Sequence, residues 1–238
     1  MSKKDIDIAD IGFVSVYKQK RSKSIRLRIT REGNIRVTIP VWMPYRAAVS
    51  FVESKKTWIS ENITTKPAIS VGDLIGKSHI VVVSYKASQA TPSARLSDET
   101  ISLSLPFSAK VEDESVQEIL QEYSVRALRQ EAKQVLPLRL RELANQHDFT
   151  YGNVSIKKMS SRWGSCTQKK AISLNLFLMQ LDDDLIDYVL LHELLHTKIH
   201  RHGAVFWNEL NRYVPDVESV RKRMRDKQTY VIPERLRT

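Results

Sequence analysis

Two histidines and a glutamate set the first constraint on this chain: His192-Glu193-Leu194-Leu195-His196 fits the pattern H-E-x-x-H. In a helix, residues four apart lie one turn distant on one face. Both imidazoles can then converge on one ion while Glu193 faces the same cleft without ligating it. That geometry suits metal-assisted hydrolysis, with Glu193 as general base toward water. A catalytic zinc needs three protein ligands and one open position, and His200 and His202 are the nearby candidates for the third. A helix that simply continued would carry His200 a full turn past His196, too far along the axis. His202, followed by Gly203, can be returned by chain that has left the helix. It is the preferred third ligand, with His200 beside the metal or on the substrate side.

Several elements must position these groups. Leu185, Ile186, Tyr188, Val189, Leu190 and Leu191 predict a buried helix over 182–200, opened by Asp182, Asp183 and Asp184, whose carboxylates complement the helix dipole. Three short strands precede it, at Asn153–Met159, Arg162–Thr167 and Ala171–Met179. A helical pattern runs from Ser115 to Gln146 through Ile119, Leu120, Tyr123, Leu128, Val135, Leu138 and Leu143, with Pro137 expected to kink or divide it. Upstream, strand-like segments at Val71–Tyr85 and Ala94–Leu105 place Gly72 and Gly76 at turns. Alternation of Ile25, Leu27 and Ile29 with Arg26, Arg28 and Thr30, then of Ile35, Val37 and Ile39 with Arg36 and Thr38, predicts a hairpin turning at Gly33-Asn34. One helix is expected from Pro44 to about Ile63, with Ala48, Phe51, Val52, Lys55, Trp58 and Ile59 on one face. The composition changes near Lys110–Glu114. The expected organisation is α+β, with a basic β-rich lobe over 1–112 and a lobe over 113–238 that carries the H-E-x-x-H helix.

Composition limits the alternatives. Hydrophobic residues make up 42% and charged residues 27% of the 238 residues, and no apolar run reaches the length needed to cross a bilayer. Asp5, Asp7 and Asp10 interrupt the stretch that a signal peptide would need, so a soluble, cytoplasmic protein is expected. Cys166 is the only cysteine, which excludes an intrachain disulfide and a Cys-rich metal site. The net charge of +11 is uneven: residues 1–110 carry 18 Lys and Arg against 9 Asp and Glu, and residues 111–238 carry 20 against 18. The cluster from Lys18 to Arg36 could attract nucleic acid or an acidic partner. Without interleaved aromatic residues for base stacking, a solvated strand face is the preferred reading.

Arg162-Trp163-Gly164-Ser165-Cys166, Leu174-Asn175, the H-E-x-x-H motif, His202 and Phe206-Trp207 together resemble the YgjP-like metallopeptidase domain family, akin to the WLM and SprT zinc peptidases. The basic hairpin, Trp58-Ile59 and Gly72 to Lys77 suit the same family, so the resemblance covers most of the chain. It implies a zincin-like metallopeptidase lobe, a Zn2+ ion on His192, His196 and His202, and a catalytic Glu193. It also implies that Trp163, Gly164, Ser165 and Cys166 border the substrate cleft, where a peptide or protein is cut. The His spacing also fits the metzincins, but Ile199 stands where those enzymes place a glycine. Trp163, Phe206 and Trp207 are expected in the core, and Cys166 as a buried small residue rather than a nucleophile. His200, Tyr213 and Arg162 are candidates for stabilising an oxyanion. Two other readings share these residues: a zinc hydrolase acting on a non-peptide amide, and a basic nucleic-acid-binding module with a vestigial metal site, which would not need Glu193.

Overall fold

Alternating apolar and polar residues carry the N-terminal segment into strands. The computed structural model describes residues 2–29, 34–62, 67–227 and 229–235, and the chain divides into two compact units, Met1–Lys66 and Pro67–Thr238. In the first unit, β1 (Ser2–Ile8), β2 (Gly12–Gln19), β3 (Arg26–Ile29) and β4 (Ile35–Pro40) form a sheet in the order β1-β2-β4-β3. Strands β2 and β4 are parallel, and the two outer pairings are antiparallel. Val14, Val16, Val37 and Ile39 share a core with Ala48 and Val52 of α1 (Tyr45–Glu53) and Ile59 of α2 (Lys56–Asn62).

The predicted strand pair is present, with Arg28 opposite Arg36; Gly33 of its expected turn lies outside the described residues. Arg26, Arg28 and Arg36 are exposed, as the alternation requires. Arg36 lies 4.0 Å above the Tyr17 ring, an aromatic neighbour supplied by β2. The sequence gives no separate forecast for β1 and β2. The single helix expected from Pro44 is two, because the polar Ser54-Lys55-Lys56 run offers no apolar residue to bury and the chain turns there. Trp58 is 43% exposed instead of sharing the buried face, and Ile63 is outside the described residues.

The second unit is built around one long helix, α3 (Glu114–Gln146). A five-stranded sheet, in the order β12-β5-β6-β8-β7, is formed by β5 (Asp73–Ile75), β6 (His79–Tyr85), β7 (Ser93–Leu96), β8 (Thr100–Leu105) and β12 (Glu234–Arg235). A three-stranded sheet, in the order β10-β11-β9, is formed by β9 (Val154–Lys157), β10 (Gly164–Cys166) and β11 (Ile172–Asn175). A 3-10 turn (Leu176–Gln180), α4 (Asp183–Leu195), α5 (Ala204–Tyr213) and α6 (Val217–Arg225) follow. Ile75, Val81, Ile101 and Leu103 share one buried core with Leu120 and Leu128 of α3 and Leu190 of α4. The compact units divide between Lys66 and Pro67, and the change in composition near residue 112 coincides with the start of α3.

Pro137 lies inside α3, which runs on past it instead of dividing. A proline in a helix interior costs about 3 kcal/mol; burial of Ala132, Leu136, Leu140 and Leu143 on both sides of it offsets that cost. Val135 and Leu138, expected on the buried face, are exposed. Among the described residues, no helix is long and apolar enough to cross a membrane.

A buried carboxylate links α3 to the site helix. Glu131 accepts hydrogen bonds from the Lys77 and Ser78 backbone N–H groups, at 2.9 and 3.1 Å, and from Ser78 Oγ at 2.9 Å. His79 Nδ1 lies 2.6 Å from its Oε1. The turn so held sends Lys77 Nζ to the Leu181 carbonyl (2.8 Å) and Asp183 (2.7 Å), at the start of α4. Gly76 has φ +71°, where a side chain is strained, and an added Cβ would lie 2.2 Å from Glu131 Oε2. We expect Gly76→Ala to destabilise the protein by roughly 2–4 kcal/mol, read as a lower thermal midpoint. An unchanged midpoint would show that the Glu131 contacts tolerate displacement.

Candidate active site

Helix α4 is apolar on nearly every face: Leu185, Ile186, Val189, Leu190, Leu191, Leu194 and Leu195 are all buried. Polar groups on such a helix must find partners or a cavity. The expected acidic start is present, but Asp182 makes no side-chain capping bond. Asp182 and Asp184 instead accept hydrogen bonds from Arg223 of α6, at 2.8 Å for Asp182. Arg139 of α3 adds a bidentate contact to Asp187, at 2.8 and 2.7 Å. The helix is thus fixed by charge pairs at its polar positions and by apolar contact elsewhere.

The helix ends one residue short of His196, and the expected continuation to His200 does not occur. His196 Nδ1 donates to the Ile199 carbonyl at 3.0 Å. Because a carbonyl can only accept, that bond leaves the Nε2 lone pair of neutral His196 free. The loop then brings His202 back. The three Nε2 atoms are 3.1 Å apart for His192 and His196, 2.9 Å for His196 and His202, and 3.0 Å for His192 and His202. His200 lines the same cavity but is not part of this cluster.

Burial, then the charges of His196, His202 and Arg221, push His192 down to about 3; burial likewise lowers His196. Neutral imidazoles with converging lone pairs repel one another unless a cation lies between them. Tetrahedral coordination at ordinary metal–nitrogen distances would separate such nitrogens by about 3.3 Å, close to the spacing found. The donor set therefore fits a divalent metal ion.

Phe206 is fully buried and floors the cluster, its ring centroid 4.9 Å from His192, 4.7 Å from His196 and 4.9 Å from His202. Trp207 stacks on His202 at 5.5 Å, half-buried. Phe206 is in the core as expected, but its role of holding all three imidazoles was not legible beforehand. Its position just after His202 is the signal that could have revealed it.

Glu193 is 5% exposed, and its Oε2 has no hydrogen-bond partner among the described residues. Burial pushes its carboxyl up from 4.5 to about 8, opposed by the charge of Arg162. Gly164 of β10 makes this close approach feasible, since an added Cβ would sit 2.5 Å from Glu193 Oε1. Trp163, Gly164, Ser165 and Cys166 all line the cavity, of about 920 Å³, that holds His192, Glu193, His196 and His202. Cys166 is half-buried, its thiol raised chiefly by burial, which does not activate a nucleophile.

Asn175 positions this strand. Fully buried, it donates to the carbonyls of Met159 (2.7 Å) and Arg162 (2.8 Å) and accepts from Phe177 N at 3.3 Å, which fixes the loop ahead of β10. Of the oxyanion candidates, Arg162 and His200 line the cavity. Tyr213 does not; its hydroxyl donates to Glu209 at 2.7 Å.

The sequence matches the YgjP-like metallopeptidase domain over residues 23–227. The chain belongs to the YgjP-like metallopeptidase family. Membership implies a divalent metal. An uncharacterized protein of Methanocaldococcus jannaschii is 40% identical over 65 residues, which are 26% of this chain and 59% of that protein. The chain thus spans 59% of the length of this curated relative. Two solved structures are similar over somewhat more than a third of this chain each. The metallopeptidase zymogen jannalysin of Methanocaldococcus jannaschii is 27% identical at a TM-score of 0.34, covering 37% of this chain and 92% of that one. The zymogen abylysin of Pyrococcus abyssi is 21% identical at a TM-score of 0.35, covering 38% and 91%.

Two predictions follow from the cluster geometry. We expect His202→Ala to lose stoichiometric metal and His200→Ala to keep it, measured by elemental analysis after dialysis; the reverse order would move the third ligand to His200. The second concerns pH in the metal-free protein. Glu193 is raised when folded, so its contribution is full below about 4.5 and lost as pH climbs through about 8. His192 is lowered, so its contribution is present above 6.5 and lost as pH falls toward about 3. Between about 6.5 and 8 Glu193 outweighs the residual, opposite contributions of His192 and His196, and we expect stability to fall by roughly 1 kcal/mol with rising pH. In denaturant titrations Glu193→Gln should abolish that slope; a slope that persists assigns it to another group.

Proposed function

We propose that this chain is a zinc-dependent metallopeptidase in which His192, His196 and His202 hold the ion and Glu193 is the general base. The observation that carries this reading is the triangle of Nε2 atoms beside a buried carboxylate oxygen that has no other partner. Three imidazoles with no thiolate suit zinc, which keeps one position open in catalytic sites. When bound, the ion supplies a Lewis acid that makes water a nucleophile at neutral pH and polarises an amide carbonyl. Glu193 moves the proton: Oε2 accepts it from the attacking water and returns it to the departing amine.

The substrate strand is read from β10. In its sheet β10 is an edge, paired only with β11 among the described residues. An extended peptide can add to such an edge, its backbone held by main-chain hydrogen bonds. Trp163, Gly164, Ser165 and Cys166 would then border the bond to be cut, with Gly164 leaving room for Glu193. We read residues 113–238 as the zincin-like metallopeptidase part, with α4 as its catalytic helix.

The test compares the zinc-loaded wild type with Glu193→Gln on a broad peptide library. The variant should keep one zinc per chain and lose about 100-fold or more in hydrolysis, since an amide cannot take the water's proton. Equal turnover by the two proteins would remove Glu193 from this role. Cleavage confined to small non-peptide amides would replace the peptidase reading with an amidohydrolase one.

A further inference from the structure

The cavity that holds the histidine cluster has a rim of one sign. Arg162, in the loop ahead of β10, and Arg201, between α4 and α5, both line it and are exposed. Arg221 of α6 does not line the cavity; its guanidinium lies 4.0 Å above the Trp207 ring, which in turn stacks on His202. None of the three forms an ion pair with a carboxylate among the described residues; Arg126, Arg139, Arg212 and Arg223 of the same unit do, and Arg95, Arg129, Arg141 and Arg225 do not. Among the described residues, Glu193 is the only carboxylate lining the cavity, and it is buried.

Two loops thus each bring a guanidinium without an ion-pair partner among the described residues to one opening, with Arg221 behind Trp207 as a third positive charge. Their charges reach the site: that of Arg162 acts on Glu193, and that of Arg221 on His192 and Tyr188. Such an arrangement costs self-repulsion in the free protein, which a ligand of opposite charge relieves. Guanidinium groups bind carboxylates through two parallel hydrogen bonds, so the rim can orient an acidic side chain as well as attract it.

We infer that this cleft selects peptides with aspartate or glutamate close to the bond to be cut, with Arg162 and Arg201 as the specificity-determining contacts. The inference deepens the peptidase reading above and rests on it for the word substrate. The recognition itself is a matter of binding and can be measured without turnover. The substrate class is acidic peptide rather than phosphate ester, because an edge strand able to hold an extended backbone lines the same cavity as the arginines.

The experiment uses the full chain as Glu193→Gln, metal-free and zinc-loaded, titrated by calorimetry. Its ligands are paired decapeptides that differ only in Asp and Glu against Asn and Gln, with tripolyphosphate as a separate ligand. We expect the acidic peptide to bind about tenfold more tightly at low salt, the ratio shrinking as ionic strength rises past about 0.1 M. An added Arg162→Ser/Arg201→Ser change should bring the ratio below about twofold with zinc content and melting midpoint unchanged. Charge reversal at Arg201→Glu should favour a lysine-containing peptide. Equal affinity for both peptides, or an acidic preference that survives the double change, overturns the inference. Tight binding of tripolyphosphate with no binding of the acidic peptide overturns the peptide assignment. Cleavage assays with the wild type separate the two levels. Indiscriminate cleavage leaves the peptidase reading standing and removes the inference. An acidic binding preference without cleavage of any peptide removes the peptidase reading and leaves the recognition rim.

Discussion

Repulsion among three converging imidazole nitrogens is the constraint on which this site depends. Lone pairs about 3 Å apart do not attract, so the surrounding protein must hold them where a cation can bridge them. Rigid elements do that work. Helix α4 fixes His192 by burying seven aliphatic side chains, the Ile199 carbonyl orients His196, and Phe206 supports the rings from below. Arg139 and Arg223 secure the outer face and start of the same helix.

The second cost is the buried carboxylate of Glu193. A charge in that position has lost its hydration, and its Oε2 has no hydrogen-bond partner among the described residues. Folding energy is thereby stored as a raised affinity for a proton, which is also the property a general base near neutral pH requires. Gly164 and Asn175 belong to the same device. One removes a side chain so that strand and carboxylate can approach, and the other fixes the loop that leads into that strand.

Much of this was legible in the residues. The His192–His196 spacing specifies one helical face, and the need to leave the helix before a third ligand selected His202; both follow from local geometry. The strand segments of the second unit are likewise present, because their alternation is strong and their turns carry Gly72 and Gly76 at positive φ. What was not legible depends on distant contacts. The division at residue 66 escaped composition because β5, β6 and β8 join α3 through a core assembled from residues far apart in sequence. Pro137 defeats the local rule because packing on both sides holds the helix together. Asn175 and Phe206 show their roles only when the loops they support are folded.

The pairing of β12 with β5 has a consequence for how the chain is made. Glu234 and Arg235 hydrogen-bond beside Leu74 and Asp73, so the second unit's first strand and its last are neighbours. A ribosome delivers β5 some 160 residues before the partner that covers its outer side. During synthesis that edge stays open while α3 and the histidine-bearing helix already have what they need to pack. Closure of the five-stranded sheet therefore waits until Glu234 and Arg235 have been joined, well after α3 and α4 have been made.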